Sequence, residues 1–197
     1  MDEIVRQALA KWPNVPDCYG WLALDARGAF RMRDAEAQAV NAAGEVIRHP
    51  ALLSFIYRNY ERDSDGAWFF QNGPQRVFVQ LAQTPFIART DPMHGFITHD
   101  GMPLGRLQQV FFTREGRLIL RAGERIAMVD DRDLAECLHL LHLGDAPADD
   151  AKLLAWLEHG QGQLQFRQNE NWLAVERVQT RQLGAALGFE PNPQPKI

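Results

Sequence analysis

The stretch WFFQNGPQRVFVQL, residues 68–81, sets two apolar runs on either side of an Asn-Gly-Pro turn. Val77, Val79 and Leu81 alternate with Phe78, Gln80 and Ala82, the period of two that sends successive side chains to opposite faces of a strand. Asn72-Gly73 is a strong hairpin signal because both residue types tolerate a positive φ. Pro74 lacks a backbone N–H and argues against the tightest, two-residue turn. Trp68, Phe69 and Phe70 fall on both faces, so at least one of them belongs to a core. The stretch therefore reads as the central β element of its region, and its turn, Asn72 to Arg76, is the part open to function.

Working outward, residues 49–62 form the best helix pattern. Pro50 suits a first turn, and Leu52, Leu53, Phe55, Ile56, Asn59 and Tyr60 gather on one broad face. Residues 2–12 also read as a helix, and residues 20–33 as strand, turn and strand about Asp25–Gly28. The Gly and Pro punctuation of residues 90–105 reads as a long loop or a link between halves. Strands at 109–113, 117–121 and 125–129 lead into a helix over 131–143, with Asp130 or Asp131 as its cap. A short helix follows at 148–158, then strand, turn, strand and helix from 163 to 187. The fold class expected is α+β, with mainly antiparallel strands in repeated strand-turn-strand-helix units and two halves packed together. The halves are residues 1–95 and 105–190, and residues 191–197 form a Pro-rich flexible tail.

With 46% hydrophobic and 23% charged residues, the composition is that of an ordinary globular protein. The net charge of −4 is uneven. Residues 1–126 carry 15 basic against 14 acidic residues, and the rest carry 6 against 11. No basic stripe stands out, which argues against nucleic acid as a partner. The start, MDEIVRQALAKW, lacks the pattern of a secretory signal, and no long apolar run suggests a membrane span. A cytoplasmic setting is expected. Cys18 and Cys137 stand far apart, as free buried thiols do.

Residues 44–88 carry a resemblance. Gly44, Ile47 and Arg48 enter a helix bearing Leu53, and Asp65, Gly66 and Trp68 make an acidic-Gly-x-aromatic corner. Pro74, Val77 and Val79 form a Pro turn and strand, and Pro85-Phe86 an exit. With the upstream WLALDARGAF, this pattern resembles an uncharacterised proteobacterial domain-of-unknown-function family, chiefly over residues 20–88. The resemblance implies an α+β fold of repeated units and a signalling role. The chain departs from the family pattern at Gly73, Gln75, Arg76 and Thr84.

Few residues suit catalysis. Ser54 lies inside a helix pattern without the flanking glycines of a nucleophile elbow, and Ser64 lies in a charged corner. No phosphate-cradling glycine motif is present. Cys18 is the better nucleophile candidate, and Cys137 belongs to a core. Two His-bearing clusters merit weighing. In CLHLLH, His139 and His142 sit three apart with Glu136 one turn before, short of a full zinc ligand set. In TDPMHGFITHDG, the residues Asp91, His94, His99 and Asp100 suit a divalent metal or acid–base work, although Asp-Pro and Asp-Gly are also everyday turn chemistry. Arg48, at a helix entry, and Arg76, after the Asn72 turn, could each grip a carboxylate or phosphate bidentately.

These readings lead to a non-enzymatic, cytoplasmic regulatory module that binds an anionic small molecule or a protein partner. Arg48, Asn72 and Arg76 are its candidate ligand contacts, and no cofactor or resident metal is expected. The alternative is an enzyme of unrecognised class using the 91–100 loop. A second alternative is a structural homo-oligomer whose interface is the hydrophobic hairpin.

Overall fold

The computed structural model describes residues 1–195, which divide into two compact units. The first is Met1–Pro85 together with the segment from Leu187 onward, and the second is Phe86–Ala186. The division falls after Pro85, not within the 90–105 stretch.

In the first unit, α1 (Glu3–Lys11) precedes β1 (Cys18–Leu24), β2 (Phe30–Met32), α2 (Ala35–Ala39) and β3 (Glu45–Val46). Next come α3 (Pro50–Arg58), β4 (Tyr60–Arg62), β5 (Trp68–Asn72) and β6 (Gln75–Leu81). The strands form one sheet in the order β3-β2-β1-β6-β5-β4. Every pairing is antiparallel except that of β1 with β6. The helix expected over 49–62 stops at Arg58. There Asn59 donates from Nδ2 to the Phe55 carbonyl at 2.9 Å and accepts from the Asp2 amide at 2.7 Å, a local side-chain bond of the kind that competes with helix continuation. Tyr60–Arg62 then pairs with β5 as a strand.

Asn72 pairs with Gln75, so the β5–β6 loop is the two-residue turn that Pro74 argued against. Gly73 takes φ 57° at the first central position, as a type II′ turn requires. Pro74 sits at the second, whose N–H is not called on to close the turn. Gln71 Nε2 braces the loop with a 2.9 Å bond to the Gly73 carbonyl.

In the second unit, β7 (Phe86–Asp91) and β8 (Gly95–Thr98) form a hairpin, followed by a meander of β9 (Gln109–Thr113), β10 (Leu118–Ala122) and β11 (Arg125–Val129). The stretch read as a long loop is thus mostly strand. Its Asp91 closes a tight turn by accepting the amides of Met93 and His94 at 3.1 and 2.7 Å. After α4 (Leu134–Cys137) and a 3-10 turn come β12 (Leu141–Leu143), β13 (Ala146–Pro147) and α5 (Asp150–His159). Finally β14 (Leu164–Gln168), β15 (Asn171–Val178) and α6 (Leu183–Leu187) bring the chain back to the first unit. The helix expected over 131–143 is a single turn, because Leu141–Leu143 is drawn into the sheet against β14. Its start is Asp133, whereas the Asp130 carboxylate folds back onto the Arg132 amide and guanidinium. The sheet order is β13-β12-β14-β15-β9-β10-β11-β7-β8.

The two units share a five-strand motif. In each, a hairpin is followed by a meander whose last strand runs parallel to the hairpin's first strand. The orders β2-β1-β6-β5-β4 and β8-β7-β11-β10-β9 correspond strand for strand. An Asp makes the hairpin turn in both, Asp25 through the amides of Arg27 and Ala29, and Asp91 as above. The protein is α+β with mainly antiparallel strands, as expected. Among the described residues no helix is long and apolar enough to cross a membrane.

The C-terminal segment does not hang free. Glu190 bridges to Ala67, the Leu81 amide donates to the Pro191 carbonyl at 2.8 Å, and Gln80 Nε2 donates to Asn192 Oδ1 at 2.8 Å. Of the expected flexible tail, Lys196 and Ile197 lie outside the described residues.

Strands β5 and β10 are buried on both faces, with Trp68 to Gln71 and Leu118 to Leu120 all inside. Phe30 is fully buried, edge-on to Tyr60 at 5.5 Å between ring centroids. Its truncation, Phe30→Ala, is expected to cost roughly 3–5 kcal/mol, read as a lowered urea midpoint at unchanged slope. A loss under 1 kcal/mol, by the same order-of-magnitude reasoning, would show that Phe30 is not a core anchor.

Candidate functional site

Three segments of the second unit border a half-open cavity of about 530 Å3: the β7–β8 turn, α4 with its following 3-10 turn, and the β14–β15 turn. The first brings Asp91 and His94, the second Glu136 and His139, and the third Arg167 and Asn169. Two clusters that stand apart in the sequence, Asp91/His94 and Glu136/His139, therefore share one cavity. Thr90 and Arg167 also line it and carry no local sequence signal. Asn169 has one, the Asn-bearing turn of QFRQNENW, and it adopts a positive φ of 54°.

Asp133 holds the walls together. Its buried carboxylate accepts Arg89 Nε and Nη2 at 3.1 and 3.0 Å and the Thr90 amide at 3.0 Å. This pins the start of α4 to β7. The Thr90 hydroxyl has one proton and two carboxylate neighbours, Glu136 Oε2 at 2.7 Å and Asp133 Oδ2 at 3.2 Å. The shorter contact takes it, so the hydroxyl steadies Glu136 at the cavity wall. His94 Nδ1 lies 2.9 Å from Asp91 Oδ1. The His94 amide and then its ring hold the Asp91 carboxyl below the usual range.

His99 and Asp100 do not join this group. Asp91 pairs with Gly95 at the turn, and His99 lies four residues farther along, about 13 Å at the rise of a strand. His99 Nδ1 accepts the Ile87 amide at 3.2 Å. The Asp100 carboxylate binds Arg125 Nη2 at 2.7 Å, the Thr98 hydroxyl at 2.6 Å and the Met102 amide at 3.2 Å. Burial alone would raise its pKa, and these partners bring it below the ordinary value. The pair locks the exit of β8. Among the described residues, no group of three or more His, Cys, Asp and Glu side chains is placed to hold a metal ion.

Nor are the first-unit candidates brought together. Arg48 is exposed after edge strand β3, while Arg76 on β6 and Asn72 on β5 lie three and four strands away in the sheet, or about 14 and 19 Å. Arg76 lies 4.9 Å over the Phe69 ring and lines a separate recess with Asp17. His142 lies on β12, edge-on to Trp172, and not on one helix side with His139. Burial raises the Cys18 thiol, and burial followed by Asp133 and Glu136 pushes Cys137 up to about 12, the reverse of an activated nucleophile. Ser54 Oγ accepts Arg58 Nη1 at 2.6 Å within α3.

The Arg89 hydrogen bond, followed by that of Thr90, lowers the Asp133 pKa from 3.8. A depressed carboxyl stabilises the fold fully above its unfolded pKa, and the gain is lost as pH falls through the folded value. Asp133→Asn is therefore expected to cost roughly 1–3 kcal/mol near neutral pH. The gap to the parent protein should narrow in urea titrations below about pH 4. A gap that stays constant with pH would contradict the role given to Asp133.

Comparison with solved structures finds a similar fold in a DUF1285 family protein from Silicibacter pomeroyi DSS-3. The two chains share 14% identity with a TM-score of 0.52, over 90% of this chain and 97% of that one. At that identity the likeness concerns the fold alone. No curated protein matches the sequence. The resemblance to a domain-of-unknown-function family, seen in residues 20–88, extends over residues 1–194, which match the family described as "Protein of unknown function (DUF2946)"; the chain belongs to that family.

Proposed function

We propose that the protein is a non-enzymatic, cytoplasmic regulatory module that binds a small molecule in the cavity of its second unit. The observation that carries this reading is the convergence of Asp91, His94, Glu136, His139 and Arg167 from three separate segments on one space of about 530 Å3. That volume is within the range of small-ligand sites. Among the described residues, Asp91 Oδ2 and Glu136 Oε1 accept no hydrogen bond, so each keeps an acceptor for an ammonium group. Arg167 supplies the planar donor set that suits a carboxylate or phosphate, and Phe96, Leu140 and Phe166 provide apolar wall. The ligand that fits is small and carries an anionic group and an amine. Asp133 joins β7 to α4 behind the cavity, which gives occupancy a route to the hydrogen bonding of both elements.

A second reading has one observation in its favour. The Asp91–His94 pair has the spacing of a carboxylate orienting an imidazole for acid–base work. The oligomer reading loses its main support, because the aromatics of the 68–81 hairpin are buried within the chain.

Thermal-shift and calorimetric titration of the full chain with a panel of amino acids and amine-bearing phosphates tests the binding reading. At least one compound is expected to raise the melting temperature. Its affinity should fall tenfold or more, about 1.4 kcal/mol, in Arg167→Ala and Glu136→Gln. A panel without hits, or a hit that both variants bind equally well, would count against it. Conversion of a hit during prolonged incubation, followed by NMR and lost in His94→Ala, would favour the enzyme instead.

A further inference from the structure

The first unit contains a buried arginine whose charge has no carboxylate partner among the described residues. Arg33 is 6% exposed, and arginine is rarely so buried unless it is paired. Its Nε donates to the Ala42 carbonyl at 2.9 Å and its Nη2 to Asn41 Oδ1 at 3.0 Å. A guanidinium has five N–H donors, so most of the fork, including all of Nη1, is left without a protein acceptor.

The loop after α2 is shaped around this side chain. Asn41 takes φ 51°, and Gly44 takes φ 79° at a point where a Cβ would sit 2.3 Å from the Met32 carbonyl oxygen and 2.8 Å from Arg33 Cγ. Only glycine fits there. The loop, β1, β2, the end of β6 and the returning C-terminal segment border a cavity of about 500 Å3. Arg31 and Arg33 both line it. They are two apart along an extended chain, the spacing that puts side chains on one face.

The charges do not balance. Asp25 is the acidic residue of this lining. One of its oxygens takes the Arg27 and Ala29 amides, and the other takes Arg31 Nε at 2.8 Å. Arg31 is thus neutralised, although Nη2 has no hydrogen-bond partner among the described residues, while the charge of Arg33 stands uncompensated. Arg33 Nη1 is not among the solvent-shielded side-chain atoms, so it opens onto the cavity, and a planar guanidinium fork matches an oxyanion bidentately.

We propose that this first-unit cavity is an oxyanion site, in which Arg33 Nη1, aided by Arg31 Nη2, holds the phosphate or carboxylate group of a small metabolite. Ala23, Leu24 and Ala82 line the same cavity and offer an apolar surface to its body. The site lies in the other unit from the cavity proposed above and shares no residue with it. It takes over the anionic partner that Arg48, Asn72 and Arg76, too dispersed, cannot hold together.

Calorimetric titration of the full chain in chloride buffer of fixed ionic strength, with inorganic phosphate in one arm and acetate or succinate in another, tests the site and separates the two sources of oxyanion. Binding at one site by at least one arm is expected. Arg33→Gln should weaken it roughly ten- to hundredfold, the range for losing hydrogen bonds to a charged group. Ala43→Leu, which fills the exposed cavity wall and leaves both arginines in place, should weaken it at least tenfold. This variant decides the matter if Arg33→Gln fails to fold. Arg106→Ala, at an exposed arginine of the second unit that lines neither cavity, should bind like the parent. No binding by the folded parent in either arm, or binding unchanged by Ala43→Leu, overturns the proposal. Loss of binding in Arg167→Ala alone would assign the anion to the second-unit cavity and overturn this one.

Discussion

In each unit one parallel pairing joins the hairpin to the meander, β1 against β6 and β7 against β11, and the shared motif depends on those two junctions. A further parallel pairing, β15 against β9, attaches the added strands of the second unit. A hairpin and a meander can each form from local antiparallel contacts. Only the parallel junction joins them, at the cost of ordering the long chain between. Its residues match this burden: Leu22, Val79, Leu24 and Leu81 in one unit and Ile87, Met128, Ala88 and Val129 in the other are buried. Just past each junction one more amide bond extends the ladder, from Ala82 to the Leu24 carbonyl and from Asp130 to the Ala88 carbonyl. In the second unit that extension delivers the chain to α4 beside β7. There Asp133 can meet Arg89 and Thr90, and the wall of the cavity is set.

The equivalence of the two motifs accounts for the repeated units read in the sequence. The shared parts are an Asp turn, an apolar hairpin and a meander, with different insertions between them. The first unit places α2, β3 and α3 between hairpin and meander, whereas the second uses an irregular connection there and adds β12 to β15 on the far edge of its meander. The same plan thus carries different additions in the two units.

Strand periodicity and turn chemistry revealed most of the elements, because those signals are local. The errors came where tertiary context outweighs local pattern. The segment LHLLHL satisfies a helix and a strand alike, and pairing with β14 settles it as strand after one helical turn. The Gly and Pro residues of 90–105 mark tight turns of a hairpin as well as they would mark a loop. Strand β5, buried on both faces, has no alternation to read. The candidate site was legible only in pieces. Asp91, His94, Glu136 and His139 are conspicuous residue types, but the bonds that join their segments span 43 and 46 positions, between Thr90 and Asp133 and between Thr90 and Glu136. Arg33 was missed for a related reason: an arginine in FRMRD reads as a surface residue, and its burial depends on a loop that closes over it.

The central claim is that the second-unit cavity is where this protein meets a small molecule. Backbone amide NMR of the full chain during titration with amine- and anion-bearing metabolites tests it most directly. Shifts confined to Thr90–Phe96, Glu136–Leu140 and Phe166–Asn169 are the result the account predicts. Binding that leaves those three segments unmoved while shifting other residues of the same unit would contradict it.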